Sequence, residues 1–164
     1  MKILFVCTGN TCRSPMAEGI FKDMLEKNNI NNIIVSSAGI SVFPGEHASE
    51  KAIKALKEKG IDISGHRARQ LLDEINNVDL ILTMTLTHKQ IISDYLKNDT
   101  DKKSPRLFTL KEFAAKISGE KLTDTDIVDP YGKNYNYYKK SRDEIEKELI
   151  KILKNLDKLE GIWK

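Results

Sequence analysis

The chain has 164 residues, a length that suits a single domain with a substantial core, expected to span residues 1–164. Charged residues make up 31% and apolar ones 40%, without low-complexity tracts, which is a globular composition and excludes a disordered or disulfide-built chain. The formal charge of +3, from 27 basic and 24 acidic residues, is too small an excess to mark a nucleic-acid or membrane binder, so neither partner is expected.

Residues 2–6 are apolar apart from Lys2 and run into a Thr-Gly-Asn turn, which predicts a strand buried on both faces of a parallel sheet and ending at Cys7. The run is far shorter than a signal-peptide core or a membrane span. Cys7 and Cys12 are the only cysteines; they form no disulfide framework, and a reducing cytoplasm is the expected compartment. From Pro15 onward, Met16, Ile20, Phe21, Met24 and Leu25 recur at helical spacing, with Ser14 as N-cap, Pro15 at the first helical position and Glu18 in the opening turns. Residues 33–36 read as a second strand, and residues 49–59 as a helix whose Ala52, Ile53, Leu56 stripe stops at Gly60.

A third strand is predicted at residues 79–83, a helix at 89–96, a shorter fourth strand at 106–109 and a further helix at 111–117. Residues 135–159 read as one long amphipathic helix, and the polar stretches 94–104 and 118–129 as surface loops. Strands alternating with helices point to an α/β fold: three layers, an open and mostly parallel sheet with helices on both faces. Ligands in such sheets sit beyond the carboxyl ends of the strands.

The segment Cys7-Thr8-Gly9-Asn10-Thr11-Cys12-Arg13-Ser14 lies between a buried strand and a helix start, where backbone N–H groups and the helix dipole form an anion site fit for phosphate. The same field favours the thiolate of a central cysteine, so Cys7 can attack phosphorus directly. Arg13, five residues on from the intervening loop's start, can grip two equatorial phosphoryl oxygens through its planar fork, a contact that strengthens in the transition state. Ser14 can donate its hydroxyl to the Cys7 sulfur. Gly9 and Asn10 suit the left-handed angles of a tight cradle. An isolated cysteine at a strand end is ordinarily just a small apolar residue, but here it stands with Arg13 and Ser14. A nucleotide-binding P-loop is excluded, because no Gly-Lys-Ser or Gly-Lys-Thr follows a glycine at the required spacing.

These residues resemble the signature of the low-molecular-weight protein tyrosine phosphatase family: Cys, five residues, Arg, Ser, near the start of the chain. The likeness continues through Ser37-Ala38-Gly39, Gly65-His66-Arg67-Ala68-Arg69-Gln70 and Asp129-Pro130-Tyr131, in order and over nearly the whole chain. The resemblance implies a four-stranded parallel sheet, no metal, no cofactor and a two-step reaction through a phosphocysteine on Cys7. Asp129 is then the proton donor to the leaving group and the base for the attacking water; without the resemblance it is one of several loop acids, with Asp124 and Asp126. Ser37 and His66 correspond to family positions that hydrogen-bond toward the loop asparagine, here Asn10. The implied partners are phosphorylated proteins, with inorganic phosphate or a similar oxyanion able to occupy the loop. Two readings stand for Cys12: a reversible disulfide with Cys7 that shields the nucleophile from overoxidation, or simple packing under the loop.

Tyrosine-directed members carry a bulky aliphatic residue where this loop has Thr11, and two adjacent tyrosines where this chain has Tyr131 followed by Gly132. Both departures resemble the protein-arginine phosphatase branch. A threonine hydroxyl offers a polar contact to a guanidinium group that an aliphatic side chain would leave unpaired. Phosphoarginine is therefore the favoured substrate and phosphotyrosine the alternative, since Tyr131 can stack on an aromatic ring. An arsenate reductase of similar fold would need relay cysteines after Cys12, and none follows. A non-catalytic phosphate-binding module would have no use for Asp129.

Overall fold

Four strands organise the computed structural model, which describes residues 1–98 and 104–159. They are β1 (Lys2–Cys7), β2 (Ile34–Gly39), β3 (Leu80–Thr83) and β4 (Arg106–Thr109), and they pair in the order β2-β1-β3-β4, every pair parallel. Successive strand residues face opposite sides of a sheet, so β1 sends Ile3 and Phe5 into one core and Leu4 and Val6 into another. All four are buried, which is why the run is apolar at every position rather than at alternate ones.

One face is covered by α1 (Arg13–Lys27), α2 (Glu50–Lys57), α5 (Leu110–Ser118) and α6 (Tyr135–Leu153), which contribute Phe21, Leu56, Phe113 and Leu149 to the larger core. There the rings of Phe5 and Phe21 meet edge-on with centroids 6.1 Å apart. The other face is covered by α3 (Leu71–Glu74) and α4 (Leu86–Lys97), which bury Leu71 and Ile92 against Leu4, Val6 and Ile81. The three layers are those read from the alternation of elements. No described helix is long and apolar enough to cross a membrane.

The chain leaves β1 toward β2, then returns to lay β3 on the opposite side of β1. That reversal opens a crevice at the carboxyl ends of β1 and β3, and Cys7 is the last residue of β1. Several boundaries differ from the sequence expectation. The first helix begins at Arg13 with Cys12 at its N-cap, so Ser14 lies inside the opening turn rather than capping it, and its hydroxyl is turned toward the loop. β2 continues to Gly39, three residues past the expected end, because it pairs with β1 as far as Cys7. The helix expected from residue 89 starts at Leu86, capped by Thr85, whose hydroxyl accepts from the His88 N–H. The closing helix stops at Leu153, and a 3-10 turn (Leu156–Lys158) follows. Of the expected loop at 94–104, residues up to Lys97 complete α4, and residues 99–103 lie outside the described residues. α3 has only four residues, too few to leave a periodic pattern.

Candidate active site

The loop after Cys7 folds back over the strand ends because β2 runs alongside it: Ile40 N–H donates to Cys7 O (3.1 Å) and Ser41 N–H to Thr8 O (3.0 Å). Approach is close at Gly39, where a β-carbon would sit 2.6 Å from Thr8 O and 3.0 Å from Asn10 N. Asn10 takes φ 57°, the left-handed conformation expected of it. Gly9 does not adopt a positive φ, so its expected backbone role is corrected; a β-carbon there would meet only Thr11 Oγ1, at 3.8 Å. None of the backbone N–H groups from Thr8 to Arg13 donates to an acceptor among the described residues.

The Cys7 sulfur is buried and lies 2.9 Å from Ser14 Oγ. The direction of the surrounding bonds follows from the donors available. Arg69 N–H donates to Asn10 Oδ1 (3.0 Å), which fixes the amide with its NH₂ toward the loop interior. Asn10 Nδ2 then donates to both Ser14 Oγ (2.9 Å) and Ser37 Oγ (3.0 Å). Ser37 donates to the buried carboxylate of Glu18, and the Ser14 hydroxyl, 3.4 Å from Ala38 O and 2.9 Å from the Cys7 sulfur, keeps a proton that the shorter contact directs to sulfur. His66 Nε2 donates to the Asn10 carbonyl (2.7 Å); burial, above all, holds its pKa below the ordinary histidine value, so the ring is the neutral Nε2–H form at neutral pH. Glu18 also pairs with Arg69 Nη2 at 3.2 Å and with Lys22, so its buried charge is matched.

Arg13, the first residue of α1, is buried and aimed by two contacts: Nη1 donates to Ile127 O (3.3 Å), and Nη2 lies 3.4 Å from Asp129 Oδ2. Three acids share the 124–129 segment, and the geometry separates them. Asp124 pairs with Lys111, Asp126 accepts the Leu86 N–H at the start of α4 (2.8 Å), and Asp129 alone of the three faces Arg13. Asp129 Oδ1 accepts the Tyr131 N–H (3.1 Å), while Oδ2 is the oxygen that faces Arg13. The segment is less of a free surface loop than its polarity suggested, for Ile127 is buried and its N–H donates to Met84 O (2.8 Å).

These groups surround a cavity of about 290 Å³ lined by Cys7, Thr8, Gly9, Thr11, Cys12 and Arg13, with Ser41, Phe43, Glu46, Asp129 and Tyr131 on its walls. Thr11 and Tyr131 therefore both meet the cavity, and Tyr131 is 76% exposed at its mouth. The Cys12 sulfur makes contacts of 3.6 Å with Ser49 Oγ and Tyr138 Oη, the latter a buried phenol whose pKa is pushed up to about 12 chiefly by burial. Both cysteines are free thiols. Among the described residues no group of three or more His, Cys, Asp or Glu could hold a metal ion. Sequence reasoning missed Glu18, Arg69, His88, Phe43 and Glu46. Glu18 reads as an ordinary first-turn acid and Arg69 stands unassigned in a quoted motif; His88 carries no local signal, since its partner is 80 residues away.

The sequence profile of the low molecular weight phosphotyrosine protein phosphatase family matches residues 2–160. A protein-arginine-phosphatase of Bacillus subtilis (strain 168) is 42% identical over 159 residues, covering 96% of this chain and 98% of that one. The low molecular weight protein-tyrosine-phosphatase PtpB of Staphylococcus haemolyticus is 36% identical over 88% of this chain and 92% of its own. Among solved structures, a cysteine-to-serine mutant of YwlE arginine phosphatase with a phosphorylated active site serine superposes with a TM-score of 0.82, at 41% identity, over 96% of this chain and 97% of that one.

Proposed function

The chain belongs to the low molecular weight phosphotyrosine protein phosphatase family and is a protein phosphatase, and we propose that residues 1–164 form one catalytic domain whose preferred substrate is phosphoarginine in proteins. In this reading the phosphoryl group sits among the unengaged N–H groups of residues 8–13, with two of its oxygens in the Arg13 fork. The Cys7 sulfur attacks phosphorus in line, the P–N bond breaks, and Asp129 gives its proton to the departing guanidino nitrogen. Water then attacks the phosphocysteine and loses a proton to Asp129; the S–P bond breaks, inorganic phosphate leaves, and the returning thiolate is met by the Ser14 hydroxyl. The observation that carries the reading is convergence on one cavity: Cys7, Arg13 and Asp129 all line it, with Ser14 Oγ 2.9 Å from the Cys7 sulfur and Arg13 3.4 Å from Asp129.

Three features support phosphoarginine. Thr11 lines the cavity with its hydroxyl side chain; Glu46 lines it with negative charge that suits the guanidinium of phosphoarginine; and a protein-arginine-phosphatase is among the similar relatives. The second reading, phosphotyrosine, rests on Tyr131 and Phe43, two exposed rings on the cavity walls able to hold a phenyl group between them. The test compares kcat/KM on phosphoarginine and phosphotyrosine peptides for the parent and for Thr11→Ile. A parent preference for phosphoarginine that falls about tenfold in Thr11→Ile is expected. A parent preference for phosphotyrosine, unchanged in the variant, would reverse the assignment. Cytoplasmic residence is part of the proposal, since two free thiols suit a reducing compartment. A reversible Cys7–Cys12 disulfide is proposed on the ground that both cysteines line the cavity: a peroxide would oxidise Cys7 to the sulfenic acid, Cys12 would displace water from it, and an external dithiol would reduce the bond, the disulfide breaking the Ser14, Ser49 and Tyr138 contacts.

A further inference from the structure

His88 is buried in the first turn of α4, where neither the core nor the reaction as described calls for an imidazole. Its Nε2 lies 2.8 Å from Thr8 Oγ1, and its Nδ1 is sealed from solvent without a partner among the described residues. Burial, and next the Arg13 charge, bring its pKa down to about 4, so at neutral pH the ring carries one proton. Two tautomers could make the bond. If the Thr8 hydroxyl donated to Nε2, the ring proton would sit on Nδ1 as a buried N–H with no acceptor. If Nε2–H donates to Thr8 Oγ1, only a bare lone pair is left at Nδ1. Orphaned buried N–H groups are the rarer defect, which favours this second tautomer.

In the second tautomer Thr8 Oγ1 accepts from His88, so the threonine proton must point elsewhere, and Thr8 lines the cavity beside Cys7. The same turn of α4 also receives the acid segment, through Leu86 N–H to Asp126 and Ile127 N–H to Met84 O. It thereby references the Thr8 wall of the cavity to the Asp129 wall. We propose that His88 is a positioning residue that turns the Thr8 hydroxyl into a donor aimed at the phosphoryl group held over Cys7. The inference rests on the phosphatase reading of this cavity. Because phosphoryl oxygens are present in both the bound substrate and the transition state, the contact supports binding more than the chemical step.

The experiment measures kcat and KM on p-nitrophenyl phosphate, and the inhibition constant of inorganic phosphate, for the parent, His88→Ala, His88→Gln, Thr8→Val and the His88→Ala/Thr8→Val double variant. Each of His88→Ala and Thr8→Val is expected to raise KM and the phosphate inhibition constant roughly fivefold to fifteenfold with kcat within about threefold, the double variant being no worse than either single one. His88→Gln, whose amide N–H can replace Nε2–H, should recover most of the loss. Additive losses in the double variant, a loss confined to kcat, or a glutamine variant no better than alanine would overturn the inference. If His88→Ala fails to fold, the comparison of Thr8→Val with the parent and of His88→Gln with His88→Gln/Thr8→Val decides in the same way. A parent without Cys7-dependent turnover would instead sink the phosphatase reading itself.

Discussion

At the scale of single residues, the site works because polar side chains have their donors committed in one direction. Asn10 is pinned by the Arg69 N–H and spends both amide protons on Ser14 and Ser37, so the Ser14 proton is left for sulfur at 2.9 Å or for Ala38 O at 3.4 Å. Cys7, Arg13 and Ser14 stood out in the sequence because the loop spacing and the helix start that follows fix their neighbourhood, whereas Asp129 was singled out from Asp124 and Asp126 only by the family resemblance. The rest of the chain of bonds was not legible. Glu18 and Arg69 meet across 51 residues, and nothing in either local sequence distinguishes them from surface ions. Gly9 was misread for a simple reason: the left-handed turn falls on Asn10, the next residue. In the proposed mechanism Asp129 carries the proton in both half-reactions, so Asp129→Ala is expected to lower kcat by roughly 10²-fold to 10⁴-fold on phosphoarginine, whose leaving nitrogen needs protonation. The effect should be smaller on p-nitrophenyl phosphate, whose phenolate leaves readily. Equal losses on the two substrates, measured at saturation, would remove Asp129 from the acid role.

At the scale of elements, the apolar run of β1 and the periodic faces of α1 and α6 stood out because burial on both sides of a sheet, or along one side of a helix, imposes a repeating pattern. Element starts were less readable, and the misses gather around the site. A Ser-Pro pair ordinarily opens a helix, but here α1 has already begun at Arg13 and the Ser14 hydroxyl is taken by Cys7 and Asn10. β2 outruns its apolar residues because Ser36, Ser37 and Gly39 still pair with β1. Gly39 is where the two elements press closest. Gly39→Ala places a methyl group against the Thr8 carbonyl and the Asn10 amide, and also 2.4 Å from the Val42 side chain. It is expected to destabilise by about 1–3 kcal/mol and to lower kcat/KM, as read by urea unfolding and steady-state kinetics. Adding Val42→Ala should relieve only the side-chain part, because the backbone atoms cannot withdraw. Full restoration by Val42→Ala would mean that the loop does not rely on that close approach.

At the scale of the molecule, the sheet order places β1 centrally and brings to its carboxyl end segments distant in sequence: the loop after Cys7, the 37–46 stretch, the 66–69 stretch, the start of α4 and the acid segment. This arrangement buries imidazoles in neutral form, with a cost in acid. His88 has a pKa of about 4 when folded against 6.5 when free, and His66 is shifted in the same direction, both mainly by burial. A depressed histidine contributes stability that is complete above its unfolded value and is lost as pH falls through its folded one. The window for His88 is therefore pH 6.5 down to about 4. The loss there is about 3 kcal/mol from His88, or a fall in Tm of roughly 6–12 °C for a chain of this size. Thermal melts of the parent and His88→Gln should diverge in that window, the variant showing the shallower slope; parallel curves would mean that His88 titrates alike in both states.

The account turns on a covalent bond between phosphorus and the Cys7 sulfur. On the proposed mechanism Asp129→Ala is expected to slow hydrolysis of that bond while still accepting p-nitrophenyl phosphate, so acid-quenched protein from this variant, mixed with that substrate, should carry one phosphoryl group by intact mass, mapped to Cys7 by peptide fragmentation. Quenched protein that turns over substrate yet carries no phosphoryl group, or carries it on another residue, would contradict the mechanism.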